Sequence, residues 1–143
     1  EDEAEELIGE YDLVLDGTDN FETRYLVNRI CVKLGKPLVS GALTQWEGQL
    51  SLFDPANGTP CYQCIFPEAP APHLAPPCAL AGVAGPLPGI IGTMMANEAV
   101  KAITGAGQTL RGRMVIHDAL YAETRSITLQ PRADCPVCGQ HKD

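Results

Sequence analysis

Four of the chain's six cysteines form two Cys-x-x-Cys pairs, Cys61 and Cys64 in "PCYQC" and Cys135 and Cys138 in "DCPVCG". Each pair can turn two thiolates toward one ion from a tight knuckle, with Pro60, Pro136 and Gly139 supplying the turns. Together the pairs make a tetrahedral four-sulfur shell suited to Zn2+. Disulfides do not suit a chain without a secretion signal. A thioredoxin-like redox pair would account for one knuckle and leave the other unexplained. A four-cysteine shell leaves the metal no open position, so the expected zinc is structural. It would tie the end of the chain back to its middle, a clamp worth on the order of 10 kcal/mol to the segment it closes.

The other chemistry-bearing residues are fewer. Asp19 lies in "LDGTDN", just past an apolar run, where a strand hands over to a helix. In open α/β sheets the ligand site sits at that end of a strand. A helix N-cap, with Glu22 three residues on, explains Asp19 equally well, and the two readings are compatible. Asp16 is a second polar group at the strand end. Arg24, one turn into the helix, reads as a solvated charge or as a site residue. Cys31 falls on an apolar helix face and reads as a small buried hydrophobe. Cys78 ends a Pro-rich loop before a helix; it is either an idle thiol or a thiolate favoured by the helix N-terminus. His73 reads as solvated, His117 as a core histidine, and Glu98 with Lys101 as an exposed helical turn.

These residues need a frame. The expected strands are Leu13 to Leu15, 37–43 and 45–54, the last in an antiparallel arrangement, followed by a hairpin over 112–120 and 123–130. Helices are expected from Phe21 to Leu34, stopped by Gly35, and over 87–104. The second is apolar nearly all round at its start, which predicts burial. Strand, helix, strand over 13–43 favours a right-handed parallel crossover. The Pro/Ala-rich stretch within 65–78 reads as a mobile loop. The fold class is α/β with a mixed sheet.

Composition narrows the partners. The chain has 143 residues, 45% of them hydrophobic, which fits one domain with a real core. A net charge of −8, with Arg111 and Arg113 as the densest basic pair, argues against nucleic acid or an anionic membrane as a partner. The longest apolar stretch, near 87–96, contains Pro and Gly and is too short to span a bilayer. A cytoplasmic protein is expected. The opening "EDEAEELIGE", acidic and without Met, reads as the tail of a helix inside a longer protein.

The segments "DLVLDGTDNFETRYLVN", "PLVSGALTQWEGQLSLFD", "PCYQCIF", "CALAGVAGPLPGIIGTMMANEAVK" and "CPVCG" occur in this order along the chain. In that order the sequence resembles the MoeB/ThiF branch of the E1-like superfamily, relatives of ubiquitin-activating enzymes. The resemblance covers essentially the whole chain but only the C-terminal portion of the family's Rossmann-like adenylation domain. The Gly-rich nucleotide loop and the basic phosphate-contacting residues lie upstream in that family. The resemblance implies an ATP-dependent adenylyltransferase acting on the C-terminal glycine of a ubiquitin-like sulfur carrier (MoaD/ThiS-like), for molybdopterin or thiamin synthesis. It implies a homodimer. It further implies that Asp19 holds Mg2+ at the ATP phosphates and that Asn20 contacts the nucleotide. Thr44, Gln45, Glu47 and Gln49 would lie near the carrier tail, although an exposed strand face is their default. The 65–78 stretch would be a crossover loop over the active site, with Cys78 as a sulfur-transfer nucleophile. By the same resemblance, the isolated 143-residue chain, without the nucleotide loop, is expected to bind ATP poorly. The alternatives are a non-catalytic zinc-stabilised interaction domain and a nicotinamide-dependent oxidoreductase. The latter is weak because no G-x-G-x-x-G occurs.

Overall fold

Helix Phe21–Leu34 (α2) connects strand Val14–Asp16 (β1) to strand Leu38–Thr44 (β2), and the two strands pair in parallel. This is the parallel pairing expected from the sequence, in a computed structural model that describes residues 1–71 and 82–139. Asn20 caps α2 by accepting from Thr23 N at 2.8 Å, and Gly35 ends it in the left-handed region at φ 65°. Only Gly enters that region without a Cβ penalty. The acidic opening winds into Asp2–Gly9 (α1), which buries no residue and leans on α2 through Glu5 and Lys33 at 2.8 Å.

The rest of the sheet is antiparallel. Strand Glu47–Phe53 (β3) folds back on β2, Arg113–Asp118 (β4) pairs with β3, and Glu123–Thr128 (β5) closes the order β1-β2-β3-β4-β5. Between β3 and β4 lie the short helix Tyr62–Ile65 (α3) and the long helix Leu87–Thr104 (α4). Residues 66–71 carry no regular structure; the remainder of the 65–78 loop, with His73 and Cys78, lies outside the described residues.

Strand alternation sorts the core into two layers. Val39, Leu50 and Leu52 face α4 and pack with Leu87, Ile91 and Met95. Leu38 and Phe53 face the other way and pack with Cys31 of α2 and Tyr62 of α3. Gly41 and Gly48 share the face of Val39 and Leu50. A Cβ at either would collide with Met95 or Ile91, so these two glycines set how closely α4 approaches the sheet.

Several expectations need correction. Strand β1 begins at Val14, and Leu15 is 45% exposed because β1 is the sheet edge among the described residues. Helix α4 buries one stripe, Leu87, Ile91, Met95 and Glu98, against the sheet, while Val100 and Ile103 are exposed. Glu98 is not on an exposed turn. It is 4% exposed, accepts from Leu110 N at 2.8 Å and pairs with Lys101. Lys101 in turn donates to the Gln108 carbonyl at 2.8 Å, so the two side chains fasten the helix end to the next loop. His117 is not a core residue: it is half-buried and hydrogen-bonded to the hydroxyl of Thr124, its partner on exposed β5, at 2.7 Å.

Candidate functional site

The turn after β1 is built by Asp16. Its buried carboxylate accepts from Thr18 N at 2.9 Å and from the Thr18 hydroxyl at 2.7 Å. Arg24 closes the turn from α2: its Nε and Nη2 donate to the Thr18 carbonyl at 3.1 and 3.0 Å. Asp16 is therefore consumed inside the turn, and Arg24 is a buried structural donor, not a solvated charge. Asp19 is left exposed, and its carboxylate has no hydrogen-bond or ion-pair partner among the described residues. It does not cap α2, since Asn20 does. Asn20 commits its Oδ1 to that cap and keeps its Nδ2 free of partners among the described residues.

A cavity of about 280 Å³ opens beside this turn, bounded by Thr18, Asp19 and Arg24 on one side and by Gly41, Gly92 and Met95 on the other. It lies where β1 ends and α4 crosses the sheet, and an unpaired carboxylate stands on its wall. Such a carboxylate can hold a hard cation or a donor group of a ligand. Thr44, Gln45 and Glu47 are exposed and Gln49 half-buried around the β2–β3 hairpin, whose tip contacts the following chain through Ala84 N donating to the Gln45 carbonyl at 2.8 Å.

The second constellation is the cysteine centre. Sγ atoms of Cys61, Cys64, Cys135 and Cys138 all lie within 4.8 Å of one another. Cys61 stands 3.9 Å from Cys64 and 3.7 Å from Cys135, and Cys64 stands 3.3 Å from Cys138. Four sulfurs about 2.3 Å from a tetrahedral zinc are about 3.8 Å apart, so the donor set and its spacing fit Zn2+. Each knuckle is closed by its own backbone bond, Cys64 N to the Cys61 carbonyl at 3.1 Å and Gly139 N to the Cys135 carbonyl at 2.9 Å. A Cβ at Gly139 would collide with the Cys135 carbonyl, which is why the second knuckle needs glycine there. Asn28 Nδ2 donates to Cys61 Sγ at 3.6 Å and Arg132 N to Cys64 Sγ at 3.5 Å. Burial raises the Cys135 thiol, yet backbone N–H donors of Cys138 and Val137, together with the neighbouring Cys61 and Cys64 thiols, outweigh it and bring it down to about 7, whereas burial pushes the Cys61 thiol up to about 11 and raises that of Cys138. Amides aimed at sulfur favour thiolate, the form a metal binds. Aromatic packing seats the first knuckle on α2: Tyr62 meets Tyr25 at 5.4 Å, Phe66 at 4.8 Å and Phe53 at 6.0 Å between ring centroids.

The sequence over most of this fold matches a known family. The ThiF family model matches residues 1–137. The chain belongs to the ThiF family. It is 49% identical over 140 residues to a protein of Thermus thermophilus named sulfur carrier protein adenylyltransferase, covering 95% of this chain and 52% of that one. It is 46% identical over 139 residues to a Zea mays protein named adenylyltransferase and sulfurtransferase MOCS3-2, covering 96% of this chain and 29% of that one. The chain thus spans about half the length of the first relative and under a third of the second. A crystal structure of E. coli MccB with ATP matches with a TM-score of 0.71 at 18% identity, over 90% of this chain and 40% of that one, and shares its E1-like fold. Among the described residues no helix is long and apolar enough to cross a membrane.

For this ThiF-family chain the structure assembles the four cysteines named from the sequence and sets Asp19 and Asn20 together at one turn. It keeps Asp19 apart from the cysteine centre: Asp19 precedes α2, whereas the centre meets that helix at Asn28, about two turns on. Cys31 is buried as expected; burial first, then the Asp16 charge, push its thiol up to about 12. Sequence reading missed Asn28. Its signal was available: a polar amide four residues after Arg24 and three before Cys31, on the face read as apolar.

Proposed function

We propose that the protein activates the C-terminal carboxylate of a ubiquitin-like sulfur-carrier protein by ATP-dependent adenylation. The observation that carries this reading is the unpartnered Asp19 carboxylate on the wall of the cavity at the end of β1, in a chain of the ThiF family. In adenylation a carrier carboxylate oxygen attacks the α-phosphorus of ATP, and the bond to the departing pyrophosphate breaks. Asp19 would hold Mg2+, which neutralises charge on the phosphates. The free Nδ2 of Asn20 would donate to the nucleotide. The Asp16–Thr18–Arg24 lock fixes the turn beforehand, so no reorganisation is needed when substrate arrives. The exposed hairpin residues Thr44, Gln45 and Glu47 would border the path of the carrier tail. The four cysteines would hold one closed, structural Zn2+. In this reading the active protein is a cytoplasmic homodimer, and residues 1–143 belong to one adenylation domain.

Carrier-dependent ATP–pyrophosphate exchange by the intact enzyme, which includes the family's upstream nucleotide loop, tests the reaction. Asp19→Ala should lower its rate by roughly 100-fold or more while circular dichroism stays unchanged; a parent-like rate refutes the role of Asp19. Cys78→Ser should leave exchange intact and abolish thiocarboxylate formation on the carrier. If both reactions survive that change, Cys78 has no part in sulfur transfer. Metal analysis of protein purified without chelator should find one zinc per chain, and finding none removes the zinc assignment.

A further inference from the structure

The buried face of α2 carries two polar side chains one turn apart, Arg24 at 9% exposure and Asn28 at 1%. Burying such groups is costly unless each finds partners, and here the partners belong to two different sites. Asn28 uses both ends of its amide on the first knuckle. Its Nδ2 donates to Cys61 Sγ at 3.6 Å, and its Oδ1 accepts from Tyr62 N at 3.0 Å. Arg24 uses two arms of its fork on one acceptor, the Thr18 carbonyl, and its guanidinium lies 5.0 Å above the Phe21 ring. That carbonyl belongs to the peptide unit joining Thr18 to Asp19. Holding it fixes the plane from which Asp19 departs.

We propose that Asn28 and Arg24 are positioning residues that make α2 a strut between the four-cysteine centre and the Asp19 turn. Asn28 orients Cys61 and the first knuckle, and Arg24 orients the peptide that carries Asp19. This deepens the adenylation reading and rests on it for the roles of Asp19 and zinc. An amide that donates to a metal-bound thiolate does the work of the outer-shell donors that fix metal ligands elsewhere. The helix between the two contacts is a rigid element only one turn long at that point, so a shift of the knuckle is passed directly to Arg24.

Two readouts test the strut on the zinc-loaded intact enzyme. The first is the rate of zinc release to 4-(2-pyridylazo)resorcinol. Asn28→Asp keeps the acceptor for Tyr62 N but replaces the donor to Cys61, and should release zinc about 10-fold faster or more, whereas Arg24→Met should stay within about twofold of the parent. The second is the Mg2+ concentration giving half-maximal carrier-dependent pyrophosphate exchange. Arg24→Met should raise it about tenfold, with Arg24→Lys between it and the parent. A change in the KM for ATP at saturating Mg2+, with the Mg2+ requirement unmoved, would instead mean that Arg24 touches the nucleotide, and overturns the positioning role. Parent-like zinc release in Asn28→Asp overturns the proposal too. Should a variant not fold, the parent itself decides: extraction of zinc by 1,10-phenanthroline should raise its Mg2+ requirement, and an unchanged requirement overturns the strut. The adenylation reading fails separately, through an unimpaired Asp19→Ala, and zinc release does not depend on that outcome.

Discussion

Replacing Gly41 by Ala probes how tightly α4 is seated on the sheet beside the cavity. Gly41 is not in the left-handed region, so an L residue is conformationally admissible there and the penalty is steric. The new methyl collides with Met95 Sδ and sits 3.1 Å from Met95 Cγ and 3.2 Å from Ile91 Cγ2. Carbon contacts are comfortable nearer about 3.5–4.0 Å, so Met95 must rotate. Gly41 and Met95 both line the cavity, so the rotation also reshapes the candidate site. Overpacking of this kind costs about 1–3 kcal/mol; since the obstructing atoms belong to a flexible side chain, the lower half of that range is expected. Met95→Ala alone removes buried side-chain atoms at a cost of about 2–5 kcal/mol. In the double variant the obstruction is gone and the methyl introduced by Gly41→Ala fills part of the void. The double should therefore be less destabilised than the sum of the singles by about 1–2 kcal/mol. Urea unfolding of the zinc-loaded parent, both singles and the double measures this coupling. Additivity within about 0.3–0.5 kcal/mol would show that the two groups do not meet and would refute the close approach of α4.

Glu98→Ala orphans the Leu110 N–H and leaves Lys101 without its carboxylate, so it should cost about 3 kcal/mol in the same denaturant assay; Glu98→Gln, which keeps an acceptor for Leu110 N, should cost less, and equal costs would count against the buried bond. Cys31, its thiol pushed up to about 12, should resist iodoacetamide at pH 8 in the native protein; rapid native-state alkylation at Cys31, read by peptide mass spectrometry, would contradict its burial. Cys135→Ser should raise amide hydrogen exchange over 132–139 more than over α2, because the second knuckle depends on the centre while α2 also packs on the sheet. Equal loosening of both would mean that the centre supports the whole fold and not its end.

How far the sequence carried varies with the kind of signal. Local chemistry was readable: Gly35 stops α2 where expected, the span of α4 matches 87–104, and both Cys-x-x-Cys pairs converge. What failed depended on neighbours that periodicity does not reveal. Leu15 looked buried because its strand is apolar, yet β1 has one paired neighbour among the described residues. Glu98 looked solvated because it is charged, yet the loop after α4 returns an unpaired Leu110 N–H to meet it. The cap of α2 fell to Asn20 and not Asp19. A one-residue shift of that kind is beyond spacing rules, and here it leaves Asp19 unpartnered. Asn28 was passed over because an amide on an apolar face declares its purpose only when Cys61 arrives from 33 residues away.

The cysteine centre also bears on the order in which the chain acquires its shape. Cys61 and Cys135 are 74 residues apart, with α4 and the β4–β5 hairpin between them. Bringing the ends of such a loop together costs roughly 4 kcal/mol of chain entropy before any contact between them compensates it. Each knuckle is a local turn with its own pair of thiols, so either pair can hold an ion while the other is still distant. Once the sheet has aligned β3 with β4, most of that closure has already occurred, and the second pair needs only to settle onto an ion that is waiting. Metal supplied early should therefore shorten the final phase of refolding and leave the collapse of the sheet unchanged. Chain refolded without metal should reach the same sheet with residues 132–139 still unfastened.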